Sequence, residues 1–157
     1  MNAYAPLIDR YAAGPERLRE LVIDLTPDEL RARPIAGKWS TLEVVAHIAD
    51  FEPIFLDRMK RVIAEEESPI RSGDENLFFQ RLKYEHRQLA CELALIEACR
   101  AHAVTILRNI TDADFTREGI HSELGRVSLQ GLLEKVTGHI EHHLPFIEEK
   151  RRALRGS

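Results

Sequence analysis

Three of the chain's seven histidines, His139, His142 and His143, fall within five residues. His139 and His143 are four apart, so on a helix they stack on one face, about 40° apart around the axis. The apolar stripe Leu129, Leu132, Leu133, Val136, Ile140, Leu144 and Ile147 runs beside them. Both imidazoles are therefore expected at the edge of a core, where a ring nitrogen is costly unless it finds a partner. A divalent metal is one such partner, and H-x-x-x-H is a spacing that metal sites use. Water or carboxylates are the other, and the pair alone fits both readings. The zinc-protease motif is excluded, because it needs Glu directly after the first His and position 140 is Ile. Glu141 projects about 200° away from His139. His142 lies further from the stripe and reads as an exposed or supporting residue.

A third ligand must come from another helix. His47, in Glu43-Val44-Val45-Ala46-His47-Ile48-Ala49-Asp50, is the best placed, although the helical wheel puts it on the flank of the apolar face. Glu52 is the odd residue on that wheel, near the middle of the apolar face beside Ala49, Leu56 and Met59. Its functional reading is a ligand or a general base. A buried carboxylate wants an Arg, a His or a metal, and the favoured reading is an ion pair with an Arg from another helix, or exposure after the kink at Pro53. Glu43 is four residues before His47, but a helix-capping role competes with any role at the site. His86 lies among charged residues and reads as solvated. His102 reads as a core histidine, and His121 lies in a loop. Cys91 and Cys99 are eight apart, about 12 Å along a helix, too far for a disulfide, and read as packing residues.

Four amphipathic helices are needed to carry these residues. The first spans about Tyr4 to Leu25, with Gly14-Pro15 expected to bend it. Thr26-Pro27-Asp28-Glu29 opens a short helix ending near Pro34. The second long helix runs from the capping box Ser40-Thr41-Leu42-Glu43 to about Glu65, with a kink expected at Pro53. Glu66 to Glu75 reads as a loop. The third helix is expected from Leu82 to Ile110, on the stripe Leu82, Leu89, Leu93, Ile96, Ala103, Leu107 and Ile110. Thr111 caps a short turn, and Phe115 to Val127 reads as irregular. The fourth helix runs from the cap Ser128 to about Arg152, with Pro145 inside it. The reading is an all-α four-helix bundle, one domain over residues 1–157, with short extra helices in the connections. The connections after the first and third helices are long, so simple up-down-up-down packing is not required.

Composition narrows the function. The 157 residues are 44% hydrophobic and 31% charged, with a formal charge of −4. Such a chain buries roughly 70% of its unfolded surface and needs no metal simply to fold. The acidic balance argues against nucleic acid. No apolar run reaches the ~20 residues that span a bilayer. Met1 to Arg10 carries no secretory pattern, so a cytoplasmic address is expected.

Three stretches resemble the DinB/YfiT-like superfamily of metal-dependent enzymes. Lys38-Trp39-Ser40-Thr41-Leu42-Glu43-Val44-Val45-Ala46-His47-Ile48-Ala49-Asp50-Phe51-Glu52 resembles its W-S-x-x-E-x-x-x-H segment. Gly125-Arg126-Val127-Ser128-Leu129-Gln130-Gly131-Leu132-Leu133 is similar to the lead-in to its last helix, and Gly138-His139-Ile140-Glu141-His142-His143-Leu144-Pro145-Phe146-Ile147 resembles its H-x-x-x-H segment. The resemblance implies an atypical four-helix bundle and a divalent metal, zinc or nickel, held by His47, His139 and His143. It implies a small-molecule substrate, with hydrolysis or thiol-dependent S-transfer as the reaction and a low-molecular-weight thiol as the co-substrate of the latter, and a homodimer. The competing class is a non-catalytic metal-binding or dimerisation bundle.

Overall fold

The computed structural model describes residues 3–156. Six α-helices carry the chain: α1 (Ala5–Val22), α2 (Pro27–Arg31), α3 (Thr41–Ala64), α4 (Glu75–Arg81), α5 (Leu89–Leu107) and α6 (Leu129–Arg155). The expected caps are in place. The hydroxyls of Thr26 and Ser40 accept from the backbone N–H groups of Glu29 and Glu43, whose carboxylates accept in return from the cap residues' own N–H groups. Ser128 accepts from the N–H of Gly131. The helices run on through Pro15, Pro53 and Pro145.

The four long helices, α1, α3, α5 and α6, form the bundle. α1 packs on α5 and α6, and α3 packs on the same two helices. α1 and α3 are thus diagonal to each other, as are α5 and α6. Chain order therefore crosses the bundle twice, from α1 to α3 and from α5 to α6. The two crossings account for the long connections there.

Two parts of the sequence reading need correction. The third helix begins at Leu89, not Leu82. Lys83 adopts a left-handed conformation (φ 53°), which a continuous helix excludes, and a 3₁₀ turn over Tyr84–His86 follows with Tyr84 fully buried. The loop segments hold a small sheet, β1 (Pro69–Ile70), β2 (Glu118–His121) and β3 (Gly125–Ser128). β1 pairs parallel to β2, and β2 antiparallel to β3. Exposed and buried residues alternate along β2, but its sequence Glu118-Gly119-Ile120-His121 carries no hydrophobic alternation to signal a strand. Gly119 lies so close to the carbonyl of Ser68 and the side chains of Ile70 and Val62 that a Cβ would clash, so β2 docks through a glycine.

The interior has two large apolar clusters and a small third one of Leu25, Leu30 and Leu42. Of the two large ones, one gathers Tyr11, Phe55, Met59, Phe115, Leu133 and Val136; the other gathers Leu18, Val45, Ile48, Ile96, Ile140 and Ile147. A polar layer sits at their seam. Arg100 of α5, 1% exposed, donates Nε and Nη2 to Glu52 Oε1 on α3 at 3.0 and 2.6 Å. Nη1 donates to the Tyr11 carbonyl on α1 at 2.8 Å, and Nη2 also donates to the Val136 carbonyl on α6 at 2.9 Å. One side chain thus ties all four helices. Pro15 has no N–H, so the Tyr11 carbonyl one turn earlier has no helical donor. Arg100 supplies it. Gly14 supplies the room, because a Cβ there would collide with the guanidinium.

Candidate metal centre

His47 lies in the second turn of α3, where every residue from Thr41 to Ala49 is buried. His139 and His143 are successive residues on one face of α6. Because α3 and α6 are neighbours, the three rings meet. Each pair of ring centroids is 4.9 Å apart, with interplanar angles of 75–78°. One nitrogen from each of the three lies within 4.8 Å of the other two. His47 Nε2 and His139 Nε2 are 2.9 Å apart. Two nitrogens bound to one tetrahedral zinc at about 2.05 Å would stand about 3.3 Å apart, so a small outward movement fits an ion.

The electrostatics agree with that fit. Burial, followed by the charges of the neighbouring histidines, lowers His139 to about 2 and His143 to about 3, and burial lowers His47. All three are neutral at pH 7 and present lone pairs, as metal ligation requires. Without an ion, the contact between the two Nε2 atoms needs one of them protonated and the other bare. The Nδ1 atoms of His47 and His139 are buried with no hydrogen-bond partner in the protein. The cluster is thus poorly satisfied by its own chain; a cation among the three rings would replace the strained Nε2 contact by taking the lone pairs of both Nε2 atoms, which puts a proton on each Nδ1.

Aromatic rings wall the cluster. Trp39 stands 5.5 Å and Phe51 4.9 Å from the His47 ring, and Phe55 stands 6.0 Å from that of His139. Trp39 stacks on Phe79 at 4.8 Å. Two cavities flank the histidines. The first, about 290 Å³, is lined by His47 and His139 and reaches to Arg58, His121 and Lys135. The second, about 250 Å³, is lined by His143, Trp39, Phe146 and Lys150. Glu75, at the first residue of α4, borders both and places Oε2 3.8 Å from His47 Nε2.

The remaining candidates separate cleanly. Glu52 takes its favoured role, paired with Arg100. Glu43 is occupied by the cap and by an ion pair with Arg33. His142 and His86 are exposed. His102 is exposed rather than a core histidine, because the buried face of α5 is carried by Ile96, Cys99, Arg100 and Ala103. Cys91 and Cys99 are free thiols, exposed and buried respectively. His121 is 9% exposed and lines the first cavity without joining the three rings. Sequence reasoning missed Glu75, Arg58 and Lys135, which periodicity assigns to solvated faces or loops and which only the tertiary fold brings to the site.

A diagonal four-helix bundle with a three-histidine cluster between α3 and α6 defines the class. The family model of the DinB superfamily matches residues 10–147, and the chain belongs to that superfamily. A "Putative metal-dependent hydrolase" of Oceanobacillus iheyensis is 30% identical over 133 residues, 85% of this chain and 77% of that protein. YfiT of Bacillus subtilis, which carries the same name, is 27% identical over 141 residues, 89% of this chain and 79% of its own. The solved structure of YfiT is described as "a probable metal-dependent hydrolase with an unusual four-helix bundle topology". It matches with a TM-score of 0.87 and 26% identity, over 95% of this chain and 86% of that one. The mycothiol-dependent maleylpyruvate isomerase shares the fold, with a TM-score of 0.69 and 14% identity over 88% of this chain and 57% of that one. Among the described residues, no helix is long and apolar enough to cross a membrane.

Proposed function

We propose that His47, His139 and His143 hold one divalent cation, zinc or nickel, and that the chain is a metal-dependent enzyme acting on a small molecule. The observation that carries this reading is the triangle of neutral, partly unsatisfied imidazoles with cavities on two sides. A three-histidine shell leaves coordination positions for substrate, as catalytic sites require. The ion would supply Lewis acidity, either to activate water for hydrolysis or to hold a thiol as thiolate for S-transfer. Trp39, Phe51 and Phe55 limit water around the histidines. Glu75 is placed to take up a proton released there, at Oε2. The two cavities give room for a substrate and for a low-molecular-weight thiol as co-substrate, which favours transfer over a purely structural site.

A homodimer in the cytoplasm belongs to the same reading. Its support is the resemblance and the exposed Leu95 and Phe146, which are 38% and 41% accessible. Cys99 is buried, and the small sheet and α4 cover part of α3. Light scattering decides assembly: a mass near twice 18.0 kDa supports the dimer, and a mass near 18.0 kDa at every concentration refutes it.

The functional test is metal analysis followed by assay of the loaded protein against ester and amide substrates, and against electrophiles with several low-molecular-weight thiols. Thiol-dependent turnover lost in His143→Ala supports transfer; thiol-independent turnover supports hydrolysis. Bound metal with a closed shell of four protein ligands would instead favour the non-catalytic bundle.

A further inference from the structure

Among the described residues two arginines, Arg58 and Arg100, are buried, and Arg87 and Arg151 are half-buried; all of these but Arg58 have a carboxylate partner. Arg100 pairs with Glu52, Arg87 with Asp50 and Glu92, and Arg151 with Asp24. Arg58 is 8% exposed and has no carboxylate within ion-pair distance among the described residues. Its hydrogen bond there runs from Nη2 to the backbone carbonyl of Arg71, and the guanidinium carbon lies 5.3 Å from the centre of the Phe55 ring. A guanidinium so enclosed is unfavourable without a counter-charge. Burial pushes its pKa down, which is the same penalty seen from the proton's side.

Arg58 forms part of the wall of the cavity that opens on His47 and His139. Two further donors stand with it. His121 accepts at Nδ1 from the backbone N–H groups of Glu123 and Leu124, at 3.1 and 3.3 Å, which fixes its proton on Nε2 as a donor. Arg58, His121 and Lys135 line one cavity, and the charges of the two cations act on the His121 ring. Lys135 is also without an ion-pair partner among the described residues, and it lines the same cavity. Two carboxylates line it as well. Glu75 belongs to the histidine end, and Glu123 is exposed on the β2–β3 turn, where solvent screens it. Neither is paired with Arg58.

We propose that Arg58, Lys135 and His121 form a binding site for the oxyanion, carboxylate or phosphate, of a small-molecule substrate whose other end reaches the three histidines. The guanidinium provides charge-assisted hydrogen bonds, the His121 Nε2–H adds a neutral one, and the lysine adds a mobile charge at the rim. The site names a substrate class for the enzyme proposed above and rests on that reading for its role, although binding of the anion itself does not require the metal.

The test uses metal-free full-length protein, with inorganic phosphate and succinate as separate probes. Binding is followed by calorimetry and by amide NMR of Glu123 and Leu124. Saturable binding of either probe is expected, with shifts at that turn. A response to phosphate alone, or to succinate alone, identifies the kind of oxyanion. Arg58→Gln is expected to weaken binding by at least about tenfold, as for loss of a charged hydrogen bond, and Lys135→Gln by a few-fold. His143→Ala, which removes a proposed ligand, is expected to leave anion binding intact. Binding equally tight in Arg58→Gln, or no response to either probe at tens of millimolar, overturns the proposal. Should Arg58→Gln fail to fold, Lys135→Gln decides by the same criterion. Anion binding without metal uptake would sink the metal reading alone; metal uptake without anion binding would sink this one alone.

Discussion

Two polar clusters share the interior of this bundle, close together along α3 and α6. In one, Arg100 meets Glu52 and the carbonyls of Tyr11 and Val136. In the other, His47, His139 and His143 meet one another and leave Nδ1 atoms buried without partners. The first is buried throughout, the second is buried at His47 and half-buried at His139 and His143, and both draw on α3 and α6. The first is closed around its charge, because the guanidinium is met by Glu52 Oε1 and two backbone carbonyls, although Glu52 Oε2 and the Tyr11 hydroxyl are buried without partners. The second is open, with lone pairs facing one point and cavities on either side. Burial alone does not mark a functional site. Each cluster leaves some polar atoms without partners; the distinction lies in whether the chain supplies the counter-charge, as Glu52 does for Arg100, or leaves lone pairs converging on one point.

The largest expected effect falls on the closed cluster. Arg100→Met leaves Glu52 buried without its counter-charge, and a loss of about 3–5 kcal/mol is expected in denaturant melts. Glu52→Gln should also destabilise, and the two changes together should cost less than their sum, since they share one interaction. Additive losses would show that the pair is not a unit. His139→Ala, by contrast, should change the metal-free protein's stability much less than Arg100→Met while removing its metal.

Acid titration sharpens the same contrast. Burial holds the folded histidines' pKa values low, about 2 for His139 and about 3 for His143. The unfolded chain, with histidines near 6.5, binds protons that the folded chain refuses. Stability of the metal-free protein is thus full above that pH and falls as the pH drops below it. Replacing His139 and His143 together by Gln should flatten the dependence between pH 6.5 and 5. An unchanged slope would place the titration elsewhere.

Gly14→Ala probes how tightly the arginine is held. The added methyl meets the Arg100 guanidinium, and overpacking of this kind costs about 1–3 kcal/mol. Ser40→Ala removes the cap of the helix that carries His47, at about 1 kcal/mol. His86→Ala and His102→Ala, both exposed, should stay within about 0.5 kcal/mol of the parent and keep its metal.

Much of the open cluster was legible in the sequence, and the reasons are physical. His139 and His143 announce themselves by a spacing that a helix converts into contact, and His47 enters through a motif. Glu52 stood out as a carboxylate on an apolar face, yet its partner did not, because α5 buries Glu92 and Arg100 among its apolar residues and so blurs its own stripe. Gly14-Pro15 read as a bend. Its role as a receptacle for a side chain from another helix needs the tertiary fold. The third helix was begun one element early because Lys83 reverses the chain without a glycine to signal it. Arg58, His121 and Lys135 come from three separate elements, and no local pattern joins them.

The central claim is that the open cluster is a metal site, and metal content tests it most directly. The purified protein would be dialysed against zinc or nickel, freed of unbound ion, and measured by elemental analysis beside its variants. The parent, His86→Ala and His102→Ala are expected to retain about one ion per chain, and His47→Ala, His139→Ala and His143→Ala to lose it almost entirely, since an incomplete shell binds weakly. Equal metal in all six proteins, or none in the parent after exposure to both ions, would contradict the account.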